Sequence, residues 1–509
     1  MDQSTKGDPS AGTAELGYLD LGSCQAALSS GALTSAELVE ALIRRVEAID
    51  RSGPMLRSVI AIDDRAIDIA RARDEERRGG TSGGPLHGVP VLVKDNLDTA
   101  GGLATTAGSL ALADPACQPD RDAAAVTRLR EAGAIVIGKA NLSEWANFRS
   151  GHSSSGWSAV GGQCLNPHVL DRSPGGSSSG SGAAVAAGFA PLAVGTETDG
   201  SILCPAIFCG AVGLKPTVGY VSTAGVVPIS SSQDTVGTLA RSVADAAALL
   251  EVLADPNTAA QRALSAAPSG TGVTGLRIGV PRKVCFGYSS WADAAVVSVL
   301  GRLADAGAVI VDPAEIDTLE GLYESEDELA VLFHEFKASI DAYLTARPGP
   351  TEACPRSLAE LIRFDEDHHD VELGIFGQEI FEAAQATEGL EAVAYLEALA
   401  RGRKMAGEDG IDATLARHEL DALVAPTMAP AWTIDHVNGD RGGLACYKAS
   451  AVAGYPAVSV PVGDVAGLPL GLCVMGGAWS EPTLIRIASV IEELAGASPR
   501  PGFLERAML

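Results

Sequence analysis

The sequence predicts an α/β fold. Two observations carry that expectation: short β-rich apolar runs alternate with segments whose apolar residues recur at helical spacing, and 46% of the 509 residues are apolar, enough for a large core. Alternation of this kind builds layered units of sheet and helix. Length alone permits either several domains of ordinary size or one large α/β unit.

The elements follow in order. Residues 1–15 are polar and small and are expected to be frayed. From Thr34, TSAELVEALIRRVEAID puts Leu38, Ala41, Leu42, Val46 and Ile49 on one helical face, with Thr34 and Glu37 spaced as a capping box. GVPVLVKDN at 88–96 reads as a strand over Val91–Val93 with Lys94 at its end. DAAAVTRLREAGAIVIGKAN reads as a helix closed by Gly133, then a strand from Ala134 to Ile137. Residues 147–182 are mostly Gly, Ser, Asn and Pro, an irregular stretch that is either a linker or the wrapping of a site. It runs directly into AAVAAG, a short helix, and PLAVGTET, a strand, which speaks against a free linker. Further on, 242–254 reads as a helix, and 277–281, 308–312, 421–427 and 457–463 read as strands. Residues 314–420 are largely helical and rich in charge, an apparent insertion over the sheet.

Composition excludes several function classes. Lys and Arg total 37 against 64 Asp and Glu, a net charge of −27, so nucleic acid and anionic membrane are poor partners. No stretch reaches the roughly 20 apolar residues that span a bilayer. The start, MDQSTKGDPSAGTAELGYLDLGS, lacks a secretory pattern, and the chain is read as cytoplasmic. Nine cysteines without a CxxC pair suit reduced thiols better than a disulfide framework. His368 and His369 have no HExxH context and read as surface or packing residues, so neither a metal nor a cofactor is expected.

The chemistry concentrates in SPGGSSSGSGAAVAAGFAPLAVGTETDGSILCPA, residues 173–206. A phosphate loop would need Lys and Ser where Ala183 and Ala184 follow Gly182, and a dinucleotide fingerprint would need Gly at Val185. A flexible Gly/Ser linker fits the composition. A nucleophilic serine needs a base, and no histidine sits in a serine-hydrolase elbow. A lysine serves if burial keeps it neutral, and Lys94 at the end of an apolar strand is a candidate. The alternative for Lys94 is a strand-end charge paired with Asp95.

Together these residues resemble the amidase signature enzymes. The resemblance extends from GVPVLVKDN through GGQCLNPHVLDRSPGGSSSGS, GTETDGSI, GLKPTVG and QDTVGTLARSVADAA to AVAGYPAVSVPVG. It implies one amidase domain over residues 1–509 with the amidase signature fold, a large mixed, twisted β-sheet covered by α-helices on both faces. It implies a site beneath the loops 147–182 and the helical segment 314–420. It implies a catalytic set of Lys94, Ser177 and Ser201, with Ser177 in a cis peptide after Gly176. Ser201 would attack the amide carbonyl and form an acyl-enzyme, and Ser177 would relay its proton to neutral Lys94. The backbone N–H groups of Thr198, Asp199, Gly200 and Ser201 resemble the family's oxyanion hole, and Ser178 its auxiliary hydroxyl.

One motif departs from the common wording GTDTGGSIR: here Glu197, Asp199 and Leu203 replace Asp, Gly and Arg. Backbone donors tolerate this, whereas the charge network around Ser201 changes. The variant, with RSLAELIRF, FGQEIFEAAQAT and PAWTID, looks most like the bacterial peptide amidase branch, which removes C-terminal amides of peptides. The expected substrate is therefore a peptide amide or amino-acid amide, and the expected state a monomer or homodimer. The alternatives are an aryl acylamidase, a urethanase or a cyclic-amide hydrolase with the same triad, and, from another class, an A-type subunit of a tRNA-dependent amidotransferase. A catalytically dead binding protein is disfavoured because all three catalytic side chains are present. Phe336, Phe376, Phe381, Trp432 and Tyr447 are read as either pocket or core aromatics.

Overall fold

The computed structural model describes residues 15–81, 83–255, 272–351, 353–441, 445–496 and 498–508. Its strands are β1 (Val59–Ile62), β2 (Pro90–Lys94), β3 (Ile135–Ala140), β4 (Trp157–Ser158), β5 (Gly162–Gln163), β6 (Leu192–Glu197), β7 (Val212–Lys215), β8 (Thr235–Ala240), β9 (Arg277–Gly279), β10 (Val309–Val311), β11 (Ala422–Pro426), β12 (Ala457–Val465) and β13 (Leu468–Met475). Eleven of them form one sheet in the order β1-β3-β2-β6-β8-β7-β12-β13-β11-β9-β10, and β4 and β5 pair separately. The sheet is mixed: β2 lies parallel to β3 and β6, whereas β8 runs antiparallel to β6 and β7, as does β13 to β12 and β11.

Every residue of β2, β3, β6, β7, β8, β11 and β13 is buried, so these strands read as apolar runs and not as alternations. Successive side chains still go to opposite faces. Val91, Val93, Val136, Val424 and Val474 join a core built with the helices Ala124–Glu131, Val243–Leu253, Ser290–Asp305 and Glu481–Ala495. Leu92, Ile135 and Ile137 face the opposite layer, where the helices Ser35–Arg45, Ala66–Arg78 and Ser179–Ala186 pack. The sheet is thus covered by helices on both faces.

Local chemistry explains the element ends. The helix from Ser35 carries the full Thr34/Glu37 capping box and continues as a π-type turn over Val46–Asp50. Gly133, at φ 83°, closes the helix before β3. The Gly/Ser run is not irregular to its end: the helix expected at AAVAAG starts at Ser179. A Cβ on Gly180 would lie 2.2 Å from Ser58 O, and one on Gly182 2.6 Å from Pro205 O, so tertiary contact demands the glycines that local propensity counts against a helix.

Residues 314–420 are largely helical, with helices Leu319–Glu324, Asp327–Ala346, Leu358–Asp367, Glu379–Gln385, Val393–Arg403 and Ala413–His418. Phe336 and Phe381 are core aromatics here, stacked at 5.3 Å and packed with Trp145, Phe148 and Ile229 from neighbouring loops. The expectation of wholly reduced cysteines is corrected. Cys117 and Cys354 form a disulfide with Cα atoms 5.6 Å apart, fastening the helical segment to the 115–117 turn. The partners are separated by 237 residues, a proximity that only the tertiary fold creates. The other seven cysteines are free and buried. Of the stretch expected to be frayed, residues 1–14 lie outside the described residues, while Glu15 is ion-paired with Arg500 at 2.8 Å. Among the described residues no helix is long and apolar enough to cross a membrane.

Candidate active site

Parallel strands β2 and β6 lie side by side, which brings Lys94 to Thr196 near the end of β6. Lys94 is fully buried. Its Nζ lies 2.7 Å from Ser177 Oγ, 2.8 Å from Thr196 Oγ1 and 3.3 Å from Thr196 O. Burial pulls the ammonium down to about 7, against the opposing pull of Asp234 and Glu197. A neutral amine has two hydrogens and one lone pair. Thr196 offers two acceptors, which leaves the lone pair for the Ser177 hydroxyl. Asp95 is not the partner of Lys94: it accepts from the Thr106 hydroxyl and lies 3.8 Å from Lys139. Adjacent residues of a strand point to opposite faces, which separates the two.

The Gly176–Ser177 peptide bond is cis. Ser177 O accepts from Ser143 N at 3.0 Å. A Cβ on Gly176 would lie 2.2 Å from Ser143 Oγ and 3.0 Å from Ser155 Oγ, so glycine lets the loop approach both side chains this closely. Ser178 Oγ donates to Thr196 O at 3.1 Å and accepts from Thr196 N at 3.2 Å. Its own N–H donates to Ser201 O at 3.0 Å, so Ser178 ties the Gly/Ser loop both to β6 and to Ser201.

The turn 198–201 is held from several sides. Gly200 takes a left-handed φ of 81°. Thr198 Oγ1 donates to Asp234 Oδ1 at 2.6 Å, and Asp234 Oδ2 accepts from Ile229 N and Ser230 N at 2.8 and 3.0 Å. Glu197 accepts from Ile202 N at 2.6 Å and Leu203 N at 3.0 Å and also draws in the Gly200 N–H. Burial raises the Glu197 carboxyl, and Lys215 and these amides oppose the shift. The amides of Asp199, Gly200 and Ser201 donate to no backbone carbonyl among the described residues.

Ser201 is buried but reaches the surface, at 8% exposure. Its hydroxyl makes no hydrogen bond among the described residues, so the side chains brought into direct contact are Lys94 and Ser177, with Ser201 joined to them through its carbonyl and Ser178. Of the aromatic candidates, Tyr447 borders the turn: a Cβ on Gly200 would meet its ring at 2.4 Å. Phe376 packs on Trp157 and under Arg149, and Trp432 packs on Phe208.

Sequence reasoning missed Thr196, Asn96 and Asp234. Thr196 contacts Lys94 and Ser178, and Asn96 Nδ2 donates to Thr196 Oγ1 at 3.0 Å. Thr196 stands inside the GTETDGSI motif and Asp234 inside QDTVGT; the motifs marked the region but not which side chains turn inward.

This arrangement, a buried lysine facing a serine in a cis peptide beside a turn whose Asp199 and Ser201 amides donate to no backbone carbonyl among the described residues, occurs in a chain that belongs to the amidase family, which residues 37–485 match. The protein is a hydrolase acting on amide C–N bonds. It is 38% identical over 495 residues to a probable amidase of Arabidopsis thaliana, covering 93% of this chain and 89% of the relative. It is 37% identical over 474 residues to the A-type subunit of the glutamyl-tRNA(Gln) amidotransferase of Symbiobacterium thermophilum, covering 90% and 93%. The structure of native peptide amidase from Stenotrophomonas maltophilia matches with a TM-score of 0.87 at 47% identity, over 96% of this chain and 99% of that one.

Proposed function

We propose that the protein hydrolyses the terminal carboxamide of peptides or amino-acid amides through a triad of Lys94, Ser177 and Ser201. The observation that carries this reading is the buried Lys94 Nζ 2.7 Å from Ser177 Oγ, with its pKa lowered to about 7. A base poised near neutrality accepts a proton without leaving most of the enzyme in the wrong state.

In the proposed reaction Ser201 Oγ attacks the amide carbon. Its proton passes to Ser177 Oγ while the Ser177 proton passes to Lys94 Nζ. The tetrahedral oxyanion is received by the amides of the 198–201 turn, a type of interaction worth roughly a hundredfold or more per donor. The proton returns along the same path to the leaving nitrogen, the C–N bond breaks and an acyl-Ser201 remains. Water, deprotonated through the same relay, then releases the acid. Thr196 and Asn96 orient Lys94, and Ser178 and Gly176 hold Ser177 beside it.

The substrate class is supported by the match to the peptide amidase at 47% identity across nearly all of both chains. A second reading, the A-type component of an amidotransferase, is favoured by the Symbiobacterium relative at 37% identity. The net charge of −27 weighs against a tRNA-associated assembly. The same triad would serve an aryl acylamide, carbamate or cyclic amide. The reading includes a single domain over residues 1–509, with 314–420 covering the site, working without cofactor or metal in the cytoplasm as a monomer or homodimer. The Cys117–Cys354 disulfide withdraws the cysteine argument for that compartment.

The deciding experiment measures ammonia or amine release across peptide amides, free amino-acid amides, anilides and carbamates. Peptide amides should give the highest kcat/KM. A preference for anilides or carbamates would overturn the substrate assignment, and turnover that required a co-purified second protein would favour the amidotransferase.

A further inference from the structure

We propose that Glu328, on the helix Asp327–Ala346, is a positioning residue for the 198–201 turn, and that this helix holds the turn's amides in their reactive direction. The inference rests on the proposed role of that turn in receiving the oxyanion.

Three groups converge on the buried Glu328 carboxylate. Gln233 Nε2 donates to its Oε1 at 2.9 Å and also lies 3.4 Å from Thr198 O. Lys448 Nζ is ion-paired with its Oε2. The Asp199 carboxyl lies beside it, and the buried Asp199 Oδ1 makes no hydrogen bond among the described residues. Burial and then the charge of Glu328 hold the Asp199 carboxyl well above the ordinary range. Glu328 thus touches the turn directly through Asp199 and indirectly through Gln233.

A second grip lies on the same helix face. Glu335, two turns on, accepts from Ser230 Oγ at 2.5 Å, Ser232 N at 2.9 Å and Tyr395 OH at 2.9 Å. Ser230 N in turn donates to Asp234, whose carboxylate holds Thr198 Oγ1. Two adjacent positions at the start of the turn are therefore referred to one helix, Thr198 through Glu335, Ser230 and Asp234, and Asp199 through Glu328. Behind the turn, Lys448 opens the helix Lys448–Ala453, and its neighbour Tyr447 lays its ring against Gly200. Glu328 gathers these pieces at one point.

A positioning role predicts damage to the transition state and not to substrate binding. Glu328→Ala should lower kcat by roughly ten- to hundredfold, as expected when donors are displaced by a fraction of an ångström, with KM held within about threefold. Glu328→Gln keeps an acceptor for Gln233 and a contact for Asp199, and should recover most of the loss. Affinity for a peptide aldehyde, which forms a tetrahedral adduct on Ser201, should fall in parallel with kcat/KM, while affinity for the matching unreactive alcohol should not change. A kcat for Glu328→Ala within twofold of wild type, or equal losses of aldehyde and alcohol affinity, would overturn the proposal. If Glu328→Ala fails to fold, Lys448→Met, which removes the cation paired with Glu328, carries the same aldehyde-against-alcohol comparison, and unchanged affinity for both ligands or equal losses of both refute the proposal. Ser201→Ala run alongside separates the two readings: turnover in that variant removes the underlying mechanism whatever Glu328 does.

Discussion

Replacing Lys94 by Met removes one nitrogen and keeps nearly the same volume. Three contacts are lost, to Ser177 Oγ, Thr196 Oγ1 and Thr196 O. Thr196 O still accepts from Ser178, and Thr196 Oγ1 still accepts from Asn96, so Ser177 Oγ alone loses its side-chain partner. An unpaired buried hydroxyl costs about 1–3 kcal/mol, offset by no longer burying an amine, so the fold should survive. Loss of a positioned base should cost a factor of about 10²–10⁴ in kcat/KM. That is about 3–5 kcal/mol of transition-state stabilisation. The assay is ammonia release from a peptide amide against pH. For wild type, kcat/KM should rise with pH through about 7 as Lys94 becomes neutral, and the residual activity of Lys94→Met should lose that limb. Activity within tenfold of wild type, or an unchanged limb near neutrality, would refute the assignment of Lys94 as base.

Three further outcomes follow. Ser201→Ala should abolish turnover with its circular dichroism spectrum and melting curve unchanged, and detectable acyl transfer in this variant would contradict its role. Gly200→Ala should lower kcat by at least about tenfold with little change in KM, because the added Cβ needs a left-handed φ and meets the Tyr447 ring at 2.4 Å, re-aiming the turn's amides. Cys117→Ser opens a covalent loop of 237 residues and should destabilise the protein by about 2–5 kcal/mol, read as a lower urea midpoint under non-reducing conditions.

How legible each feature was depended on the range of the contact that creates it. Lys94 stood out because a lone cation ends an apolar strand, and the Thr34/Glu37 cap because its chemistry spans one helical turn. β12 was readable because AVSV precedes Pro461, whereas in β7, β8 and β13 a Gly or Pro (Gly213, Gly237, Pro469) falls within the first three residues. The helix at Ser179 began earlier than propensity allows because Ser58 and Pro205 leave no room for side chains at Gly180 and Gly182. The Cys117–Cys354 pair and the Thr198–Asp234 bond join distant stretches, and no local pattern announces either. Ser177 and Ser201 emerged only from ordered motifs taken together, since a Gly/Ser run by itself reads equally well as a linker.

The most direct test of a lysine-driven serine nucleophile is labelling with a fluorophosphonate, followed by peptide mapping at a series of pH values. A single adduct on Ser201, forming at a rate that rises through about pH 7, is the predicted result. An adduct on another residue, or a rate indifferent to pH across that range, would contradict it.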